Sequence, residues 1–179
     1  AVMCWGDNTY GQLGDGTTTD RLNPVDVAGM GSDVKSMALG DNFTCAVLPW
    51  GRLKFWGENT HGQLGDGSKT NSPLPVVAIL PDVTVLQVAA GSGHACALTL
   101  AGSVLCWGDN TYGQLGDGST NESPSPVVAI ASGAVGIGLG GSTSCAVMSS
   151  GGVKCWGLGD MGQLGDGGSG AGYKQLLAV

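Results

Sequence analysis

Apolar residues in this chain come in bursts of five or six, separated by glycine, proline and hydroxyl-rich stretches. Residues 75–80, 85–90, 94–99 and 103–107 are four such bursts in succession. Their length and the turn residues between them are those of strands, and no segment sustains a 3.6-residue period. Leu100, Ala101 and Gly102 predict a tight hairpin turn, mirrored by Trp50 and Gly51 and by Ser150, Gly151 and Gly152. After Trp107 the pattern lapses into a long loop, Gly-Asp-Asn-Thr-Tyr-Gly-Gln-Leu-Gly-Asp-Gly. A Ser, Thr, Asn and Pro-rich stretch then leads to the next burst.

This unit repeats. Residues 4–16, CWGDNTYGQLGDG, recur letter for letter at 106–118, and 55–67 (FWGENTHGQLGDG) and 155–167 (CWGLGDMGQLGDG) are close copies. Trp5, Trp56, Trp107 and Trp156 are therefore equivalent, at spacings of 51, 51 and 49 residues. A period of this size corresponds to one four-stranded blade of a β-propeller. The expected fold is all-β: one partial propeller over residues 1–179, with three full blades and partial blades at both ends. The expected units are 1–23 (the end of a blade), 24–74, 75–125, 126–174 and 175–179 (the start of a blade). The four tryptophans should pack between blades. Gln12, Gln63, Gln114 and Gln163, with Asn8, Asn59 and Asn110, should tie the long loops to backbone that has no ladder partner.

Gly91, His94 and Cys96, followed by Cys106, Trp107, Gly108, Asn110, Gly113, Gln114, Leu115 and Gly116, form a mark that resembles the regulator of chromosome condensation repeat family. The resemblance covers essentially the whole chain, and the loop occurs four times. It implies a seven-bladed propeller, in the style of secreted or surface bacterial members. Seven repeats of about 51 residues come to twice the 179-residue length. Two readings of the ends stay open: a piece of a longer array, or a half-propeller that self-associates head to tail to close the ring. In the second, each shared blade would lack its two middle strands.

Composition narrows the partners. A formal charge of -7 with only 7 Lys plus Arg leaves no basic stripe for nucleic acid or anionic membrane, though it suits a basic partner surface. No apolar run approaches the roughly 18 residues that span a bilayer, so no membrane insertion is expected. The start shows no initiator Met and no signal-like segment, as in a mature product or an excised piece. Cys96 and Cys106 are ten apart, as are Cys145 and Cys155, each pair flanking a hairpin turn on adjacent strands. Such residues face each other, which suits disulfides and with them an extracellular or cell-surface location; buried free thiols are the plainer alternative. Cys45 meets Phe55 where a cysteine is expected, and Cys4 lacks the strand that would hold its mate.

No catalytic constellation emerges, and no cofactor or metal is expected. The chain holds two histidines, His61 and His94, at non-equivalent positions. Asp15, Asp66, Asp117 and Asp166 recur in Gly-Asp-Gly turns, where the carboxylate bonds nearby amides; calcium binding is the sharper reading, but the spacing matches no EF-hand loop. Tyr10, His61, Tyr112 and Met161 share one loop position and should line one face as a ring of large side chains. Such a ring suits protein binding, or merely covers the loop beneath it.

The family resemblance implies several roles: nucleotide exchange on a nuclear Ras-like GTPase, ultraviolet sensing in plants, and secreted inhibition of β-lactamases. The photoreceptor role needs a Trp and an Arg in a G-W-R-H-T stretch. The matching positions, Gly91, Ser92, Gly93, His94, Ala95 and Gly40, Asp41, Asn42, Phe43, Thr44, hold neither. Exchange activity is disfavoured by the cysteine pairs and the acidic balance. The reading adopted is a non-catalytic, secreted or cell-surface protein-binding scaffold, with a secreted enzyme inhibitor as the alternative. An exchange factor or a hidden enzyme stands behind both.

Overall fold

The computed structural model describes all of residues 1–179 and consists of antiparallel sheets. β1 (Met3–Gly6) and β2 (Arg21–Asp26) form a two-stranded sheet. Three four-stranded sheets follow in chain order. The first is β3 (Ser36–Leu39), β4 (Phe43–Val47), β5 (Leu53–Gly57) and β6 (Ser72–Val77). The second is β7 (Val85–Ala90), β8 (His94–Thr99), β9 (Val104–Gly108) and β10 (Ser123–Ile130). The third is β11 (Ala134–Gly140), β12 (Thr143–Met148), β13 (Val153–Leu158) and β14 (Lys174–Gln175). The innermost strands β3, β7 and β11 pack side by side, as blades fanned around an axis do.

The blades are therefore phased one strand later than the sequence suggests. The burst near residues 75–80 lies in β6 (Ser72–Val77), which pairs with β5 as the outer strand of the blade it follows rather than opening the next. The reason is local closure. The long loop folds back on itself, so the chain returns beside the strand it has just left, and residues 78–84 make the crossing. For the same reason the C-terminal residues do not begin a blade. Lys174–Gln175 pairs with β13, and Val179 and Cys155 exchange backbone hydrogen bonds of 3.0 and 3.2 Å. The strand that a head-to-tail ring would contribute to a shared blade is thus already in use.

Blades are joined by one recurring contact. The indole N–H of Trp56, Trp107 and Trp156 donates to the main-chain oxygen of Gln12, Gln63 and Gln114 in the preceding loop, at 2.9, 3.0 and 2.9 Å. All three tryptophans are fully buried. The loop can lie this close because the second residue after each Gln is glycine. At Gly65, φ is +68°, and a Cβ would sit 2.6 Å from Trp107 Nε1, so both the backbone conformation and the space demand glycine. Around these contacts lie three apolar cores, one holding Phe43, Phe55, Leu64 and Trp107, a second Cys96, Leu115, Ile137 and Trp156, and a small third Val27, Ala46 and Trp56. Phe55, standing where the other copies have cysteine, packs edge-on to Trp107 with centroids 5.5 Å apart.

Candidate functional site

The long loops between the third and fourth strands of each blade all emerge at one end, and the first three are each organised by an asparagine. Asn110 accepts from Leu115 N–H at 2.9 Å, and its Nδ2 donates to Asp117 Oδ1 and to the main-chain oxygens of Ser119 and Asn121 at 3.2, 3.2 and 3.0 Å. Asn8 and Asn59 make the same set, and all three are fully buried. The Gly-Asp-Gly carboxylates complete the turn by accepting from the backbone N–H two residues on, Asp15 from Thr17, Asp66 from Ser68 and Asp117 from Ser119. Burial opposes the charge on Asp15, yet hydrogen bonds from Thr17, Arg21 and Asn8 hold its pKa down at about 2.

The glutamines set the loop tips. The side-chain oxygens of Gln12, Gln63, Gln114 and Gln163 accept from the backbone N–H of Tyr10, His61, Tyr112 and Met161 at 2.8 to 2.9 Å. In the first and third loops the amide nitrogen also donates to Asp7 or Asp109. In the second loop that aspartate is Glu58, whose longer side chain turns to Asn42 and Thr60 and leaves the buried Gln63 Nε2 without a partner. The four tip residues therefore stand on fixed backbone at one end of the molecule. Met161 is 86% exposed, Tyr112 37%, and Tyr10 and His61 are half-buried.

Two features of this face escape a reading of the sequence. The first is polarity. Tracing strand directions, eleven of the fourteen carboxylates lie at the loop end against three of the seven cations, a net of -8. The opposite end has three carboxylates and four cations, a net of +1. The second is a bridge between blades. His61 Nδ1 lies 3.0 Å from Glu122 Oε2, and Lys69 pairs with the other carboxylate oxygen, so Lys69 first and then His61 hold the Glu122 pKa below the ordinary range.

His94 is not part of this face. It is fully buried with Nε2 2.8 Å from Ser144 Oγ, and Ser144 Oγ in turn donates to Gln114 O. Burial pushes its pKa down to about 4 against the pull of Asp109. Cys96–Cys106 and Cys145–Cys155 are disulfides across in-register strand pairs; Cys45 is buried with its pKa raised to about 12 by desolvation, and Cys4 is free. No three His, Cys, Asp or Glu side chains gather as a metal site needs. No helix is long and apolar enough to cross a membrane.

The model of the regulator of chromosome condensation (RCC1) repeat matches residues 1–47, 51–98 and 101–147. The chain belongs to the RCC1 repeat family. Curated relatives include the ultraviolet-B receptor UVR8 of Arabidopsis thaliana, 33% identical over 134 residues, which cover 74% of this chain and 30% of that protein. The human E3 ubiquitin-protein ligase HERC2 is 35% identical over 133 residues, 70% of this chain and 3% of the ligase. Among solved structures, yeast RCC1 (Prp20) bound to Kap60 superposes with a TM-score of 0.84 at 23% identity, covering 98% of this chain and 43% of that one. Human WBSCR16 gives 0.83 at 23%, covering the whole of this chain and 46% of its own. This RCC1-repeat chain thus spans less than half the length of these relatives, and the structural likeness establishes the shared propeller fold.

Proposed function

We propose that this RCC1-repeat chain is a non-catalytic protein-binding scaffold of the cell exterior or surface, engaging a basic partner through its loop face. The observation that carries this is the set of four loop tips, each held by a glutamine and set in a field of net -8. Loop tips whose backbone is already fixed lose little backbone freedom on binding, and aromatic anchors in a charged surround favour both affinity and steering. The yeast relative's solved complex with Kap60, and the reported binding of Prp20p to Gsp1p and histones, support protein binding as the kind of role such a propeller fills. Two disulfides support an oxidising location. Inhibition of a secreted enzyme by the same rigid face is the narrower form of this reading, marked by a nanomolar complex with one enzyme.

The test uses a lysine-rich synthetic peptide as probe and maps it by hydrogen exchange. Protection should fall in residues 7–20, 58–71 and 109–122 and weaken with salt. The paired change Tyr10→Ser and Tyr112→Ser should lower affinity about tenfold, some 1.4 kcal/mol, with Tm unchanged. Protection at the opposite end, or affinity indifferent to the tyrosines, would overturn the proposal.

A further inference from the structure

At the end opposite the loop face, one hairpin breaks the pattern of its counterparts. The turn joining β4 to β5 runs Leu48-Pro49-Trp50-Gly51-Arg52. Leu48 N–H donates to Arg52 O at 2.8 Å, and Gly51 N–H donates to Leu48 O at 3.2 Å. Trp50 is the one residue other than glycine with a positive φ, +66°. That conformation presses Cβ toward the following carbonyl oxygen, so glycine is the residue that adopts it freely. The indole recovers nothing by packing, because it is 90% exposed. A large side chain held in a strained turn and left in water serves neither the turn nor the core.

Beside Trp50 the segment 78–84 crosses from β6 to β7 and leaves a groove of about 410 Å³, within the roughly 300–1,000 Å³ of small-ligand sites. Leu53, Val77 and Leu80 line it together with Trp50, Arg52 and Asp82. Both charged residues are exposed, and neither enters any of the molecule's three ion pairs. The next blade shows that the repeat does not demand these residues. Its hairpin turn closes in the same way, Thr99 N–H donating to Ser103 O at 2.9 Å, with Ala101 and Ser103 in place of Trp50 and Arg52. Asp82 stands three residues before β7, and Ala131 three residues before β11. The indole, the guanidinium and the carboxylate are lost together.

We propose that this groove binds a neutral saccharide, with a pyranose ring stacked on Trp50 and its hydroxyls shared between Arg52 and Asp82. The C–H groups on a pyranose face carry partial positive charge and meet the negative face of the indole. Each hydroxyl both donates and accepts, so one accepts from the guanidinium while a neighbour donates to the carboxylate. The paired charges also select against other ligands. An acidic ligand drawn to Arg52 meets Asp82 in the same groove, a basic one meets the reverse, and a neutral polyol satisfies both. The site is independent of the loop-face reading, since it lies at the other end of the molecule.

The probes are neutral trisaccharides of glucose, galactose, mannose and N-acetylglucosamine, titrated into the intact chain and followed by tryptophan emission and hydrogen exchange. At least one should bind saturably, shift the emission, protect residues 48–53 and 77–84, and keep its affinity as salt is raised. Trp50→Gly is the deciding variant. It relieves the positive φ, so its urea midpoint should match or exceed the parent's while the emission change disappears and affinity falls at least about tenfold. Arg52→Met and Asp82→Asn should each weaken binding about tenfold with the midpoint unchanged. A Trp50→Gly chain less stable than the parent would give the indole a structural role and overturn the proposal. So would failure of all the neutral probes, or a preference for anionic trigalacturonic acid or zwitterionic triglycine over them.

Discussion

Asn110 offers the sharpest test of how the loop face is held. Replacing it with alanine removes the acceptor for Leu115 N–H and the donor shared among Asp117, Ser119 and Asn121. Leu115 is fully buried, so its amide has no route to water, and an orphaned buried donor costs about 1–3 kcal/mol. Ser119 is half-buried and Asn121 exposed, so their oxygens recover solvent and lose only the net worth of a hydrogen bond, about 1 kcal/mol between them. The sum is about 3 kcal/mol. Asn110→Asp keeps the acceptor but sets a carboxylate where Nδ2 now lies 3.2 Å from Asp117 Oδ1, so it should cost at least as much at neutral pH and recover as the pH falls. Urea unfolding followed by tryptophan emission measures both variants, and hydrogen exchange of residues 109–122 locates the damage. A loss below about 1 kcal/mol for Asn110→Ala, or an Asp variant as stable as the parent, would refute the reasoning.

Two further outcomes follow from buried groups. His94 has its folded pKa lowered to about 4 from 6.5, so the unfolded chain binds the proton first. Stability should be full above pH 6.5, fall progressively toward pH 4 by a total of about 3 kcal/mol, and lose its slope between pH 5 and 6.5 in His94→Asn, as read by denaturation midpoints across pH. Opening Cys96–Cys106 with the double change to serine should cost about 2–3 kcal/mol for so short a closed loop, and calorimetry should show that the parent, whose two equal loops both open in reductant, loses about twice as much there.

Strands were legible in this chain because the apolar bursts are strand-length and the repeat supplies several views of each. The phase of the blades was not. A period fixes how far one unit lies from the next but not where a unit begins, and that origin depends on which connection folds back and which crosses. Ser72–Val77 pairs with Leu53–Gly57 because the intervening loop is closed around Asn59, a hydrogen-bond fact with no periodic signature. Charge polarity was hidden for a related reason. Acidic residues are spread along the sequence, and only alternating strand direction gathers Asp7, Asp41, Glu58 and Glu122 at one end.

The fourth loop shows how the same outline is kept without its hub. Where the other loops have asparagine it has Gly159, and a Cβ there would meet the ring of Tyr173 at 2.7 Å. The tyrosine has taken the place of the missing side chain: Gly159 N–H donates to Tyr173 O, and the Tyr173 hydroxyl and Gln175 amide both donate to Asp166. Yet Gln163 still accepts from Met161 N–H at 2.8 Å, as its counterparts do from Tyr10, His61 and Tyr112. That bond engages the backbone of the tip residue and not its side chain, so the tip can be tyrosine, histidine or methionine while the loop beneath it keeps its shape. The residues that hold the loop and the side chain at its tip are chemically independent of one another. A loop built this way can change its tip residue without changing how it is held.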